Sequence, residues 1–385
     1  MMPAIRKPTS VLAIVLLTAW LSAASLRGAK PPKDQPPPPD ISFSIQLLGT
    51  LGGSSEAVAM NERGDVVGFS ETGDGGVKPF VYLRNAGTIH NLYDFFTAED
   101  QQRWISWWPY GVNSAGQICG SAYQWNDVGQ AEEFAVRFTP QNTDDEGSLV
   151  PARVEIAAPT PSNAEDINEW GDVTGRYLVQ GVLARAFVFT DESGLEDLGD
   201  LGGGEAAGAA INNLGEVTGT SYKADGSARA FRFRPGLGME DLGIIKAGVN
   251  DGFGNFSSGR DLNDAGAVVG QASAGARKGR SLVHAFRDAG QGMTDLATLG
   301  GIRSIALGIN SHGEIVGWTH DKTNSMVYFL YTDEFGMVEL EPLITNLPAG
   351  TDKLRVVGIN DAGEICGTIT FTDQTSEAFL LTPNP

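Results

Sequence analysis

Residues 308–317 read Gly-Ile-Asn-Ser-His-Gly-Glu-Ile-Val-Gly, and the pattern inside them, Asn-x-x-Gly-x-x-x-Gly, recurs seven times in a chain of 385 residues. It begins at Asn61, Asn113, Asn168, Asn212, Asn263, Asn310 and Asn360, and its second glycine falls at Gly68, Gly120, Gly175, Gly219, Gly270, Gly317 and Gly367. Successive copies are 44 to 55 residues apart, a period that marks a propeller or a solenoid built from one repeated supersecondary unit. The residue before each Asn is apolar: Met60, Val112, Ile167, Ile211, Leu262, Ile309 and Ile359. An apolar strand end, an Asn and then a Gly that can take φ > 0 make a tight hairpin turn. Each copy therefore predicts a buried inner strand, A, followed by a turn and a second strand, B.

Working outward, every repeat next offers a phenylalanine in an extended segment, at Phe80, Phe134, Phe187, Phe231, Phe286, Phe329 and Phe379, which marks a strand C. A fourth segment, as in Met239-Glu240-Asp241-Leu242-Gly243, supplies strand D. The seventh repeat stops after its strand C, yet Ile45–Gly53, ahead of the first repeat, matches the D segment Met293–Gly301 position for position. A displaced strand at the start is what a ring needs to pair its two ends, and such pairing removes an open sheet edge. The predicted fold is all-β: a seven-bladed β-propeller of four-stranded blades, closed by the N-terminal strand over residues 41–385.

Arg6 and Lys7 precede an apolar run from Val11 to Leu21 and the small residues Ser22-Ala23-Ala24. This is the layout of a secretory signal peptide, assigned to residues 1–25. Residues 26–40, containing Pro-Pro-Lys-Asp-Gln-Pro-Pro-Pro-Pro-Asp, read as a stiff proline-rich linker. The expected location is secreted, extracellular or periplasmic, with no membrane insertion. A net charge of -20 opposes nucleic acid and anionic membranes as partners. The 50 glycines follow no collagen period and are accounted for by turns.

The tripeptide His284-Ala285-Phe286, the repeated Gly-Ile-Asn-x-x-Gly-Glu-Ile-Val-Gly stretch and the Leu-Gly-Gly after strand D resemble the exported HAF-repeat proteins, over residues 41–383. The resemblance implies an extracellular location and a propeller-like repeat, and carries no catalytic residues. Arg185 and Arg229 stand near the place of the tripeptide's His in two other copies.

Catalytic signatures are missing from the sequence: there is no nucleophile elbow, Walker loop or calcium-binding EF loop. The four histidines share no metal-ligand spacing. Cys119 and Cys366 occupy one repeat position in the second and seventh copies, too far apart in a seven-blade order for a disulfide. Two groups of residues are candidates for function. Asp166 and Asp261 break a run of small residues two before the Asn (Ala59, Gly111, Ala210, Gly308, Gly358) and place carboxylates on the channel wall. They could bind a cation or act as an acid and base, the alternative being acceptance of backbone hydrogen bonds. Trp104, Trp107, Trp108 and Tyr110 fall within seven residues of the connection from the first to the second repeat. Indoles on that rim would stack on sugars or grip a peptide, the alternative being a buried cap over the core.

The connection Ile244–Gly259 holds Asn250-Asp251-Gly252-Phe253-Gly254-Asn255-Phe256, whose oxygens would suit Ca2+, but one match of this kind does not make a calcium loop. No cofactor or metal is assigned. The preferred reading is a monomeric, exported, non-catalytic binding module for an extracellular or envelope glycan or peptide. Its rivals are a carbohydrate-active hydrolase or lyase using the channel carboxylates, and a structural adhesion module.

Overall fold

A computed structural model describes residues 41–139, 153–180, 183–248 and 255–385. The proposed signal peptide, the linker and most of the 250–256 stretch lie outside them. The chain is all-β, in antiparallel four-stranded sheets whose order follows the sequence, for example Gly202–Ile211, Val217–Lys223, Ala228–Arg234 and Gly238–Asp241 in the fourth repeat. A single parallel bridge between Val283 and Arg303 joins the sheets of the fifth and sixth repeats. In the seventh repeat the fourth strand is Phe43–Leu47, which pairs with Ser376–Pro383. Leu47 stands opposite Phe379 as Asp295 stands opposite Phe286, so the displaced strand keeps the repeat's register. The first and last described strands are tied beyond their ladder: Ser44 Oγ donates to Asn384 Oδ1 at 2.5 Å, Asn384 Nδ2 donates to Ser42 Oγ at 2.8 Å, and the Asn384 backbone N–H donates to Ser42 O at 2.8 Å.

In five of the seven copies the motif holds its turn by using every hydrogen-bonding site of the Asn side chain. In the fourth repeat, Asn212 Oδ1 accepts from the N–H groups of Leu214 and Glu216 at 3.0 and 2.9 Å. Its Nδ2 donates to Glu216 Oε2 at 2.8 Å and to the carbonyl of Asn263, the next motif Asn, at 3.1 Å. The same onward bond runs from Asn61 to Asn113, to Asn168, to Asn212, to Asn263, to Asn310 and to Asn360. Asn360 in turn reaches the Asn61 carbonyl at 3.5 Å, so the series returns to its start.

Two glycines per motif have different physical causes. The first, as at Gly64 and Gly171, sits at φ +79° and +86°, where a side chain is strained. The second has no such backbone. A Cβ there would lie 1.9 to 2.1 Å from a carbonyl oxygen of the facing inner strand, for instance Glu56 O at Gly68 and Trp108 O at Gly120, in all seven copies. Each inner strand carries a register shift beside this contact, such as between Ala57 and Ala59 or between Ala164 and Asp166. This β-bulge turns the strand's carbonyl toward the glycine.

Seven buried apolar clusters each straddle two consecutive repeats among the described residues. One joins Ala57, Val66, Phe80 and Tyr82 of the first repeat to Cys366, Ala378 and Leu380 of the seventh. Fully buried phenylalanines face the second glycine in six repeats, each worth about 2–3 kcal/mol of burial. The second repeat departs from the predicted pattern. Phe134 pairs with Ala122, Val136 faces Gly120, and the missing volume comes from Trp107 and Phe138. The His-Ala-Phe tripeptide acquires a reason here. Phe286 fills the core, the Ala285 N–H donates across to Ser304 Oγ of the next sheet at 2.8 Å, and His284 Nδ1 meets Asp295 on strand D at 2.9 Å. Arg185 makes the equivalent approach to Asp197 and Asp200, and Arg229 to Asp241.

Ion pairs with buried arginines also cross between sheets, one of them buried on both sides. Arg232 reaches Asp288 at 2.5 Å with both side chains almost inaccessible, and Arg137 donates to the Gly171 carbonyl at 2.7 Å and pairs with Asp191. Cys119 and Cys366 are free, buried thiols in the sheets of the second and seventh repeats.

Asn212→Asp keeps both acceptor bonds but removes both donors and sets a carboxylate against Glu216 and the Asn263 carbonyl. The expected cost is about 3 kcal/mol or more, read as a lower urea midpoint at unchanged slope. A midpoint like that of the wild type would show that the onward bonds carry little of the fold.

Candidate functional site

Inner strands set the site, because the bulge gives each one an extra residue. Those residues are Val58, Tyr110, Glu165, Ala209, Arg260, Leu307 and Val357, and none is fully buried. Asp166 and Asp261 follow two of them, and each spends its oxygens on backbone. Asp166 Oδ2 accepts from the Ile211 N–H of the next repeat at 2.9 Å. Asp261 Oδ1 accepts from Leu262 N–H and Oδ2 from Ile309 N–H, both at 2.8 Å. These are the structural partners that the second reading of the sequence anticipated. Burial pushes Asp166 up to about 7, with the charge of Asp261 adding to it, and pushes Asp261 up to about 6. Glu62, one residue past the first motif Asn, is raised to about 7 by burial and then by the charges of Asp361, Glu169 and Asp261.

The aromatic group divides. Trp107, Trp108 and Tyr110 lie on the inner strand Ser106–Val112 itself, and Trp104 closes the short helix Ala98–Arg103 capped by Thr97. They are therefore not in a free connection, as the sequence reading had placed them. Successive strand residues point to opposite faces, so Trp107 is 1% exposed, against Phe96 and Phe138, while Trp108 is 39% exposed. Trp104 is buried against Phe134, with Arg103 over its ring. Trp104 and Trp107 are thus the buried cap, and neither is available as a stacking surface. Trp108 leans on Phe69 of the first repeat, ring centroids 4.5 Å apart at 50°. Tyr110 is half-buried at the bulge, its phenol pushed up to about 12 by burial and then by Glu165 and Glu133.

Beside Trp108 lies a polar cluster that sequence reasoning missed. Ser121 Oγ donates to Glu133 Oε1 at 2.8 Å, and the burial of Tyr123 beside the same carboxylate raises its phenol. Arg176 Nε donates to Asn163 Oδ1 at 3.1 Å, and Asn163 Nδ2 in turn donates to Glu165. Burial raises the Glu165 carboxyl, and the Arg176 guanidinium opposes the shift. A signal for these residues was present. The residue after each motif's second glycine, Phe69, Ser121, Arg176, Thr220, Gln271, Trp318 or Thr368, pairs directly with Glu56, Trp108, Asn163, Ala207, Ser258, Ile305 or Arg355 on the inner strand. Directly opposed residues share one sheet face. This row varies freely while the motif beside it does not, and it combines aromatic, charged and amide groups. Among the described residues no group of three His, Cys, Asp or Glu side chains converges as a metal site.

No protein-family model and no curated protein sequence matches the chain. Among solved structures it is similar to the β-propeller domain of the Trilobed protease from Pyrococcus furiosus, at 10% identity and a TM-score of 0.49, covering 86% of this chain and 94% of that one. It is also similar to a gluconolactonase from Xanthomonas campestris, at 13% identity and a TM-score of 0.37 over 93% and 99% of the two chains. Puromycin hydrolase matches at 10% identity and a TM-score of 0.49, over 86% of this chain and 52% of that one. Identities and scores of this size carry over none of these proteins' activities.

The raised carboxyls give a pH dependence with a definite sign. Their folded values of about 6 and 7 lie above the ordinary carboxylate range, so the folded state holds the extra protons. The stability they contribute is complete in acid and is lost as pH rises through those values. Melting temperature is expected to fall between about pH 4 and about pH 7, and to fall less in the D166N/D261N variant, in which an amide at 166 can keep the bond from Ile211 while one at 261 can keep only one of its two. Equal slopes in the two proteins would remove these residues as the cause.

Proposed function

We propose that the chain is an exported, seven-bladed β-propeller, closed by its N-terminal strand, that binds a neutral extracellular glycan without catalysing its cleavage. The architecture is supported by the Asn series that returns from Asn360 to Asn61, by the Phe43–Leu47 pairing with Ser376–Pro383, and by the apolar cluster shared by the first and seventh repeats. Export is supported by the basic, apolar and small-residue succession at residues 6–24.

The glycan reading is carried by one observation: an indole 39% exposed, propped on a neighbouring phenylalanine, beside a cluster of Ser, Tyr, Glu, Asn and Arg groups. An aromatic face takes the apolar C–H face of a sugar ring, and fixed polar groups take its hydroxyls. A net charge of -20 disfavours acidic polymers. The hydrolase alternative depends on Asp166 and Asp261, and their engagement by strand amides speaks for a structural use of both.

A chain starting at Ser54 lacks the outer strand of the seventh blade, and it is expected to melt well below the chain starting at residue 41. Equal melting temperatures would end the closure reading. Trp108→Ala is expected to weaken glycan binding by about 1–3 kcal/mol at an unchanged melting temperature, whereas Trp107→Ala should cost about 3–5 kcal/mol of stability. Titration calorimetry and thermal melts on both variants check this. Wild-type affinity in a normally folded Trp108→Ala protein would remove Trp108 as the anchor.

A further inference from the structure

The row that carries Phe69 and Trp108 has a second aromatic station. Trp318 directly follows the sixth motif's second glycine, as Phe69 follows the first, and it pairs with Ile305 on the inner strand and Tyr328 on strand C. It is half-buried and packs against His320, ring centroids 5.5 Å apart. Burial and the nearby Arg303 charge keep that imidazole below its ordinary value, so the station is uncharged near neutral pH.

Between the two stations stand Arg355 of the seventh repeat and Glu56 of the first. Arg355 Nη1 donates to Glu56 Oε2 at 3.3 Å, and both side chains are more than half exposed. Arg355 also acts electrostatically on Tyr328, and Glu56 is paired with Phe69, so the two stations and the ion pair lie along one arc of the row. Sheet contacts join the sixth repeat to the seventh and the seventh to the first, which makes that arc continuous.

We infer that this arc is one extended site for a neutral oligosaccharide, gripped at both ends by stacking on Trp318 and on Trp108 with Phe69, with its middle hydroxyls bonded by Arg355 and Glu56. The inference rests on the glycan reading and adds ligand length to it. A monosaccharide fills only one station. An oligomer long enough to touch both gains the second contact intramolecularly, so affinity should rise steeply at the length that spans them. An exposed ion pair suits the middle, because its geometry is weakly held and it opens to hydroxyls at little cost.

The test titrates the mature chain with neutral glucose and N-acetylglucosamine oligomers, from monosaccharide to hexasaccharide, by calorimetry. The expected result is a step in affinity with length of roughly tenfold or more, and its loss in Trp318→Ala. Affinity that is flat with length in the wild type would overturn the two-station site while leaving the Trp108 reading standing, and this needs no variant to fold. Full hexasaccharide affinity in a normally melting Trp318→Ala protein would overturn it as well. Failure of every oligomer to bind the wild type would instead overturn the glycan reading, and this inference with it.

Discussion

Everything in this chain is hung on the primary amide of an asparagine. It is the one neutral side chain that offers two donors and a doubly accepting oxygen in a flat, short group, and five of the seven motif copies use all of them, while Asn263, with Ala267 four residues on, and Asn360 use fewer. Two bonds define the hairpin, a third ties the turn to its acid or amide four residues on, and the fourth leaves for the next repeat. A single residue type thereby fixes the turn and the spacing of neighbouring sheets at once. Aspartate would supply the acceptors alone, and serine the reach of neither. The apolar clusters between sheets then add stabilisation to an arrangement whose spacing the amides already determine.

Much of this was legible because it is local. The motif's Asn, its first glycine and the preceding apolar residue report a turn whose chemistry involves consecutive residues. The displaced D segment was legible because it repeats a neighbour's letters. The acid four residues past the Asn, as at Asp65, Asp172, Glu216, Glu314 and Glu364, belongs to the same bond set and had gone unread. The reason for the second glycine was hidden for a different cause. It answers a carbonyl on another strand, brought close by a bulge that leaves no signature in residue type.

The candidate site shows where such reading stops. Four aromatics in seven residues read as one cluster, although the alternation of a strand sends Trp107 inward and Trp108 outward. Treating the stretch as a connection rather than as the inner strand removed that parity from view. Phe69 and Trp318 were invisible for the opposite reason. Phe69 is an isolated ring in sequence, brought beside Trp108 of the next repeat only by the repeat's geometry, and Trp318 packs on His320 of its own strand, a contact that the period-2 spacing alone did not flag. Asp166 and Asp261 stood out as exceptions to a small-residue rule, and their use proved to be the binding of the next strand's amides.

The tie between the first and last described strands bears on how the molecule presents itself. Ile41 and Pro383 border the same cleft as Asp361 and Gly363, which puts the start of the described residues and the C-terminal strand's end at the turn side of the sheets. Trp108 and the residues after each second glycine sit further back along their strands, away from those turns. Anything that holds the protein by its C-terminus therefore holds it at the turn side, away from the variable row. A fusion at the C-terminus would accordingly leave from the turn side, away from the row.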